Sequence, residues 1–336
     1  HPLPILTSSR CAVKPMPSNR HAEPQDYRIA RPMSLRTKHE HAACHFFHLV
    51  GKGFGIQYDF RMMNQTPQKK SATRHALWPE GSTHHEDSVM DYTDAGPPQA
   101  VYEVHLPDHA SGPTPAMVVA PGGGYHTHNP NVGPATADLL CAHGIAVIIC
   151  CYRVAPHRHP KPYADLARAM RLTRHHAPSW NIDPQRVGLI GFSSGGHNAA
   201  VVATQPELHL DPEDDLAGQV DARPDKLVLA YARLSYLSDP KAESRQNLMG
   251  PFPEEHLVTQ LSPELHVNTQ TPPTFLYHTV EDAQVPVRDS LQFAKACNDI
   301  GVPYELHCFT HGPHGPQLGE GFAHLTVWPQ LMLNWL

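Results

Sequence analysis

From about Ala76 onward, short apolar segments alternate with segments of helical periodicity, and this alternation constrains the fold more than any other feature. Buried strands are expected at Ala116–Ala120 and Ile145–Cys151, because both runs are short and apolar and the second is partly β-branched. Apolar residues recur at helical spacing over Tyr163–Ala177, and Pro178 should end that helix. Strands that alternate with helices of about 10–15 residues predict a mainly parallel central sheet with helices on both faces.

The same patterns place the remaining elements. Further strands are predicted at Val101–Leu106, Val187–Ile190, Leu227–Ala230, Thr274–His278 and Tyr304–Phe309. Further helices are predicted at Thr136–His143, Gly195–Ala203, Arg288–Ile300 with Gly301 as its cap, and Leu325–Leu336. Parallel sheets bind their ligands at the carboxyl ends of the strands, so the loops that follow these strands are the expected place for a functional site.

Residues 1–75 differ from the rest of the chain in their charge and in their lack of regular hydrophobic periodicity. They contain 12 Lys and Arg against 4 Asp and Glu, whereas residues 76–336 contain 14 against 28. Prolines interrupt any long helix there, and the best apolar run, Phe46–Val50, predicts a short strand or a short helix. We therefore expect an irregular, basic, Pro- and His-rich N-terminal extension over residues 1–75 and a single folded domain over residues 76–336.

The composition of the N-terminal extension suggests two functions. Its positive charge could contact a nucleic acid, but no aromatic residues interleave with the basic ones, so nucleic-acid binding is not expected. Cys44, His39, His41, His45 and His48 are residue types that bind Zn²⁺. A single Cys among irregularly spaced histidines is weak support in a chain with 27 histidines, so no metal site is expected.

The segment Gly191–Gly195, with the sequence Gly-Phe-Ser-Ser-Gly, follows a predicted strand and precedes a predicted helix of small residues. In this position G-x-S-x-G is typical of a nucleophile elbow, a sharp turn that exposes a serine above the sheet. A phosphate-binding turn is the alternative, but neither Gly-Lys-Ser/Thr nor an acidic residue at dinucleotide spacing follows. The motif therefore predicts Ser193 as a nucleophile.

A nucleophilic serine also needs hydrogen-bond donors for an oxyanion, a base and an orienting acid. The three glycines of Pro121–Tyr125 directly follow a predicted buried strand, and glycine lets the backbone approach a substrate closely. Their amides, with the amide of Ser194 after the nucleophile, are the expected donors.

The acid and the base should follow the serine in that order. The acid could be Glu281 or Asp282, which come directly after the next-to-last predicted strand. The base could be His311 or His314, which come after the last one, and His314 lies further into a loop that can reach back to the serine. His197, beside the elbow, is expected to have a structural role.

Residues from about Ala76 to the end resemble α/β-hydrolase esterases of the acetylxylan-esterase/BD-FAE-like group, which is related to the hormone-sensitive-lipase-like carboxylesterases. The matching segments are Leu77–Gly81, Pro121–Tyr125, Tyr152–Pro156, Gly191–His197, Leu261–Glu264, Pro272–Phe275, Asp282–Pro286 and Gly312–Gly315. The resemblance implies an α/β-hydrolase fold, with residues 76–336 as the catalytic domain. It implies Ser193 as nucleophile, Asp282 as acid and His314 as base.

The resemblance also implies that the backbone amides of Gly123, Gly124 and Ser194 form the oxyanion hole. The candidates for the substrate pocket are the residues beside these positions, Tyr125, Phe192 and Val285. Pro313 and Pro316 replace the small and aromatic neighbours usual around the base, which leaves the size of the pocket open.

The function that the resemblance implies is that of a serine carboxylesterase acting through an acyl-enzyme. Short-chain esters are expected as substrates, chiefly acetyl esters on carbohydrate such as acetylated xylan or xylo-oligosaccharides. No cofactor and no metal are expected, because a Ser-Asp-His triad needs neither. Two alternatives stay open: a serine peptidase of the prolyl-oligopeptidase type, and a catalytically inactive hydrolase fold that serves as a binding module.

Partners and location follow from more general features. No run of about 18 or more apolar residues is present, so no membrane association is expected. No signal peptide is recognisable and the adjacent Cys150 and Cys151 cannot easily pair, which favours the cytoplasm. A secreted location stays open, because the chain starts at His1 and its start could be processed. The expected partner is a small ester substrate such as an acetylated saccharide, and the oligomeric state stays unknown.

Overall fold

The computed structural model describes residues 74–80, 82–84, 100–237 and 239–336. All of them belong to one compact unit, Gln65–Leu336. The apolar run Phe46–Val50 and the metal-ligand candidates around Cys44 lie outside the described residues. The division of the chain at residue 76 therefore stays a prediction.

Eight strands form one sheet in the described part of the chain. They are β1 (Arg74–Ala76), β2 (Val101–His105), β3 (Thr114–Ala120), β4 (Ala146–Cys151), β5 (Ile182–Phe192), β6 (Leu227–Ala230), β7 (Thr274–Thr279) and β8 (Tyr304–Phe309). Their order across the sheet is β1-β2-β4-β3-β5-β6-β7-β8. The pairs β1–β2 and β2–β4 are antiparallel, whereas every pair from β4 to β8 is parallel. The predicted mainly parallel sheet is confirmed.

The helices connect these strands and lie on both faces of the sheet. They are α1 (Val132–Ala142), α2 (Lys161–His175), α3 (Ala177–Trp180), α4 (Ser194–Thr204), α5 (Glu243–Met249), α6 (Glu255–Gln260), α7 (Arg288–Ile300) and α8 (Trp328–Trp335). Single 3-10 turns occur at Pro206–His209 and Pro263–Leu265. Within the described ranges, no helix combines the length and the apolar character that crossing a lipid bilayer requires.

Helices cover both faces because the side chains of a buried parallel strand alternate between two apolar cores. In β3, Val118 packs into one core and Val119 into the other, and in β4, Ile148 and Ile149 repeat the pattern. The first core includes residues of α2, α4 and α7, and the second includes residues of α1 and α8. Full burial of each such side chain contributes about 1.5–3 kcal/mol. A parallel sheet between two helical layers, preceded by antiparallel strands, is the α/β-hydrolase fold.

Several helix boundaries predicted from the sequence are wrong, including the start of α1, which lies at Val132 rather than at Thr136. Helix α2 ends at His175, and Pro178 lies in the first turn of the separate helix α3. The last helix begins at Trp328 rather than at Leu325, with Pro329 in its first turn. Proline is tolerated in a first turn because the amide that it lacks would have no intrahelical partner there.

The segment between β6 and β7, residues 231–237 and 239–273, contains α5 and α6 and is called the β6–β7 insertion below. Hydrophobic periodicity did not predict either helix. Each is only two turns or less, with Leu248 as the buried residue of α5 and Val258 as that of α6. A single apolar position does not define a helical period.

Candidate active site

Ser193 lies at the turn between the end of β5 and the start of α4. Its backbone has a φ of 53° and a ψ of −117°, a conformation that residues with side chains rarely adopt. A Cβ atom at Gly191 would collide with the Gly195 carbonyl, and one at Gly195 would collide with the Ala120 carbonyl. Glycine at both positions therefore allows β5, α4 and β3 to approach closely enough to hold the strained turn.

The structure brings Ser193, Asp282 and His314 together, although they follow three different strands. Ser193 Oγ lies 2.8 Å from His314 Nε2, and His314 Nδ1 lies 2.7 Å from Asp282 Oδ2. An ionised carboxylate only accepts hydrogen bonds, so Nδ1 carries a hydrogen and Nε2 of the neutral ring can accept the serine hydroxyl hydrogen. A hydroxyl, a base and an orienting acid in this sequence of contacts can activate a serine for attack.

Asp282 is buried and is hydrogen bonded through both carboxylate oxygens. The amides of Gln284 and Val285 donate to Oδ1 over 2.9 and 2.8 Å, and His278 Nε2 lies 3.3 Å from Oδ2. Burial alone would raise the pKa of Asp282, but the hydrogen bonds from His278 and His314 hold that pKa well below its usual range. The carboxylate is therefore ionised at neutral pH and can stabilise a protonated His314.

The neighbouring candidates Glu281 and His311 pair with each other instead. His311 Nδ1 lies 2.8 Å from Glu281 Oε1, and the two side chains are 72% and 57% exposed for His311 and Glu281. Neither residue lines the cavity beside Ser193. The structure thus separates two acid–base pairs between which the residue pattern left a choice and of which the family resemblance favoured Asp282 and His314.

The glycines after β3 lie next to the elbow, since a Cβ atom at Gly122 would come within 3.0 Å of Ser193 Cβ. Gly123 and Gly124 have φ angles of 144° and 63°, and a side chain at Gly123 would collide with the following turn. In the described part of the chain, the Gly123 and Gly124 amides donate to no backbone carbonyl. Ser194 begins α4, where first-turn amides have no intrahelical partner. These three amides are therefore available to a ligand beside Ser193.

A cavity of about 640 Å³ lies beside Ser193 and His314. It is lined by the glycines after β3, by Ser194 and by two of the three predicted pocket residues, Phe192 and Val285. In the ranges that the structure describes, no group of three His, Cys, Asp or Glu side chains could hold a metal ion.

Tyr125, the third predicted pocket residue, does not line the cavity. Its side chain is 1% exposed and belongs to the core around α4, and its hydroxyl lies 2.7 Å from His197 Nδ1. A buried hydroxyl needs a hydrogen-bond partner, and His197 supplies one. The expectation that Tyr125 borders the substrate is therefore corrected.

One wall of the cavity is polar and comes largely from the β6–β7 insertion. Its side chains include Arg233, Asp239, Glu243, Ser244 and Asn247, with His126, Asn129 and Gln284 from other loops. Asn247 Nδ2 donates to the Gly124 carbonyl over 2.9 Å, and Arg233 Nη2 donates to the Gln284 carbonyl over 2.5 Å. The insertion is thereby bonded both to the glycine loop and to the loop that carries Asp282.

Three further residues, which no sequence motif indicated, also support the site. Tyr231 packs edge-on against the His314 ring, with centroids 5.2 Å apart, and His278 contacts Asp282 as described. Both lie at the carboxyl ends of parallel strands, the same signal that pointed to Asp282 and His314. Asn247 gave no such signal, because its helix α5 was not predicted.

The comparison with known families matches the BD-FAE family model to residues 102–297, which is more than half of the chain. The chain belongs to the BD-FAE family of α/β-hydrolase esterases. The matched segment begins in β2 and ends in α7, so it includes the elbow and Asp282 but stops before β8 and His314.

Solved and curated relatives agree with the BD-FAE assignment. The acetyl ester-xyloside bifunctional hydrolase from Caldicellulosiruptor lactoaceticus is 36% identical with a TM-score of 0.70, over 79% of this chain and 95% of that one. The acetylxylan esterase of Xylanibacter ruminicola is 29% identical over 256 residues, which are 74% of this chain and 50% of the relative. Endo-1,4-beta-xylanase B of Butyrivibrio fibrisolvens is 31% identical over 203 residues, which are 59% of this chain and 32% of the relative. The chain thus spans half or less of the length of these two curated relatives.

Proposed function

We propose that this BD-FAE protein hydrolyses short-chain esters, chiefly acetyl esters of carbohydrate such as acetylated xylan or xylo-oligosaccharides, with Ser193, His314 and Asp282 as its catalytic triad. The observation that carries the proposal is the pair of contacts from Ser193 Oγ to His314 Nε2 and from His314 Nδ1 to Asp282 Oδ2, at 2.8 and 2.7 Å. The names of two relatives, an acetylxylan esterase and an acetyl ester-xyloside hydrolase, support the substrate class.

In the proposed first half-reaction, Ser193 Oγ attacks the acyl carbon while His314 Nε2 accepts the hydroxyl proton. The carbonyl oxygen becomes an oxyanion, and the amides of Gly123, Gly124 and Ser194 donate hydrogen bonds to it. When the C–O bond to the alcohol breaks, the alcohol oxygen takes the proton from His314 and an acyl-enzyme remains.

In the second half-reaction, His314 accepts a proton from a water molecule that attacks the acyl-enzyme, and Ser193 regains its hydrogen as acetate leaves. Asp282 keeps the His314 ring in one tautomer and stabilises the positive charge that the ring carries in both transition states. The depressed pKa of Asp282 suits this role, because the carboxylate stays ionised throughout.

The polar wall of the cavity supports a hydroxylated, uncharged alcohol portion. Asp239 and Glu243 offer carboxylate acceptors for sugar hydroxyls and would repel an anionic ester. Arg233 Nη2 lies 3.4 Å from Asp239 Oδ2, so these two charges offset each other, and Glu243 leaves the wall with a net negative charge. A neutral saccharide ester therefore fits this wall better than an acidic one.

Substitution of Ser193 tests the chemistry. Ser193→Ala should lower kcat for p-nitrophenyl acetate by at least about 10³-fold and abolish labelling by a fluorophosphonate, because the attacking oxygen is lost. Ser179→Ala, which removes an exposed hydroxyl in α3 that does not line the cavity, is the matched control and should match the wild type. A Ser193→Ala protein with near-full activity would overturn the assignment, and an unlabelled wild type would favour an inactive binding module.

A panel of substrates tests the proposed preference for short acyl chains and for a carbohydrate alcohol. We expect p-nitrophenyl esters to lose kcat/KM as the acyl chain lengthens from acetyl to dodecanoyl, and we expect acetate release from acetylated xylan. Glu243→Ala should lower kcat/KM for an acetylated xylo-oligosaccharide more than for p-nitrophenyl acetate. Glu255→Ala, at the start of α6 and outside the cavity lining, is the control. Hydrolysis of a fluorogenic dipeptide in preference to acetyl esters would contradict the esterase proposal and favour a peptidase.

A further inference from the structure

A buried chain of hydrogen bonds links the glycine loop to the nucleophile helix and to the β6–β7 insertion. Tyr125 ends the loop, and its hydroxyl lies 2.7 Å from Nδ1 of His197 in α4. His197 Nε2 lies 2.8 Å from the Leu261 carbonyl oxygen, and the His197 amide donates to the Ser193 carbonyl over 3.1 Å. Tyr125 and His197 are 1% and 0% exposed, so water does not compete for these bonds.

The carbonyl of Leu261, at the end of this series of hydrogen bonds, determines which atom donates in each of them. The Leu261 carbonyl only accepts, so Nε2 of His197 carries a hydrogen. Burial lowers the pKa of His197 to about 4, so the ring is neutral at pH 7 and Nδ1 has only a lone pair. The Tyr125 hydroxyl therefore donates to Nδ1. The direction of this bond is therefore fixed, and among the described residues His197 Nδ1 has no other hydrogen-bond partner.

The backbone conformation of Tyr125 explains why its hydrogen bond to His197 affects the neighbouring Gly124. Tyr125 has a φ of 58°, in the left-handed region that is unfavourable for a residue with a large side chain. Its own carbonyl accepts from the Ala155 amide over 2.8 Å, and the preceding carbonyl, of Gly124, accepts from Asn247. If the hydroxyl anchor is lost, rotation of Tyr125 towards negative φ turns the adjoining peptide and displaces Gly124, whose amide is a proposed oxyanion donor.

We propose that Tyr125 and His197 are positioning residues for the oxyanion hole, and that the hydrogen bond between them keeps the amides of Gly123 and Gly124 at a set distance from Ser193. The inference rests on the proposed esterase function. Neither Tyr125 nor His197 lines the cavity, so both act through the backbone and touch no substrate. Displaced amides weaken binding of the charged transition state more than binding of the neutral ester.

The first test removes the hydroxyl alone. Tyr125→Phe should lower kcat for p-nitrophenyl acetate by roughly 10- to 100-fold, which is less than the loss of a whole oxyanion donor, with KM changed by no more than about twofold. Affinity for a trifluoromethyl ketone, which forms a tetrahedral adduct with the serine, should fall by a similar factor. Tyr277→Phe is the matched control, because its hydroxyl is also buried but has no hydrogen-bond partner among the described residues.

Rates are expressed per active site, counted with a fluorophosphonate, and thermal stability is measured for each variant. A merely structural role would lower the melting temperature and the number of active sites, but it would leave kcat per active site and inhibitor affinity at the wild-type values. That result for Tyr125→Phe would overturn the proposal. If the wild type itself neither labels nor turns over the ester, the proposed function fails instead, so the two failures are distinguishable.

A pair of His197 variants covers the case in which Tyr125→Phe does not fold. His197→Asn places an amide oxygen where Nδ1 lies and keeps an acceptor for Tyr125, whereas His197→Gln places an amide nitrogen near Nε2 and keeps the donor to Leu261. We expect the Asn variant to stay within about threefold of the wild-type kcat per active site, and the Gln variant to lose at least about tenfold. The reverse order, or equal activities, would overturn the proposal.

Discussion

Two carboxylate–histidine pairs connect the same two loops of the molecule. Asp282 and His314 are 2.7 Å apart, and Glu281 and His311 are 2.8 Å apart. The carboxylates are consecutive in sequence, yet the side chains of the first pair are 0% and 11% exposed and those of the second are 57% and 72% exposed. Distance alone therefore does not distinguish the pairs. The pairs differ in their burial and in the presence of Ser193 beside His314.

Water accounts for the difference in what the two pairs can do. The exposed pair interacts through solvent and salt that weaken its attraction, and neither of its members lines the cavity beside Ser193. Around Asp282, water is replaced by amide and imidazole donors that stay in place while charge develops on His314. A preorganised environment is thus what the buried pair has and the exposed pair lacks.

The largest difference between the two pairs is expected when the charge of the buried acid is removed. Asp282→Asn should lower kcat for p-nitrophenyl acetate by on the order of 10³- to 10⁴-fold, because the amide no longer enforces the His314 tautomer or stabilises its charge. Steady-state kinetics per active site measure the effect. A decrease of less than about tenfold would mean that Asp282 is not the acid.

Acid stability extends the contrast between buried and exposed groups to histidines outside the triad. Burial lowers the pKa of His128, His197 and His209 to about 4, from 6.5 for an exposed imidazole. Because these folded-state values lie below the unfolded value, these three histidines gain protons only in the unfolded chain as the pH falls from about 6.5 to about 4. Glu264, whose pKa burial raises to about 7, offsets the effect of one of them, because it gains its proton first in the folded chain. The free energy of unfolding should therefore fall by at least about 2 kcal/mol over that window, at about 1.4 kcal/mol per pKa unit and group.

Chemical denaturation from about pH 8 to about pH 4.5 measures this slope. His197→Asn should make it shallower, because that variant has one buried imidazole fewer. A pH dependence of the unfolding free energy that is the same in the wild type and in His197→Asn would show that His197 titrates alike in the folded and unfolded states.

A smaller effect is expected from the donor behind the buried acid. His278→Leu should lower kcat by roughly tenfold, because the loop that carries Asp282 loses the His278 Nε2 hydrogen that is shared between the Val285 carbonyl at 3.0 Å and Asp282 Oδ2 at 3.3 Å. His278→Gln, which keeps a donor at the position of Nε2, should recover most of the loss. Equal activities of the two variants would indicate that only the volume of His278 matters.

The smallest effect is expected from the exposed pair. Glu281→Gln and His311→Gln should each leave kcat and KM within about twofold of the wild type, because solvated side chains outside the cavity do not touch the reacting atoms. A large decrease in kcat for either variant would contradict the distinction drawn between the two pairs.

Local signals predicted much of the fold and of the candidate site. The strand β8 and the helix α7 lie at the residues that hydrophobic periodicity and the Gly301 cap indicated. The elbow was recognisable because strand, glycines and helix are neighbours in sequence. By contrast, α5 and α6 were missed because short, mostly exposed helices carry little hydrophobic pattern.

By itself, the sequence determined the alternation of strands and helices, the mainly parallel sheet and the order of serine, acid and base along the chain. Residue patterns left the acid and the base open and the family resemblance favoured Asp282 and His314, whereas only the tertiary structure decided that Tyr125 enters the core instead of the pocket. Backbone preferences act over a few residues, whereas these contacts join residues 121 positions apart for Ser193 and His314 and 72 apart for Tyr125 and His197. Where a side chain points depends on neighbours that the sheet brings together, and no local pattern records them.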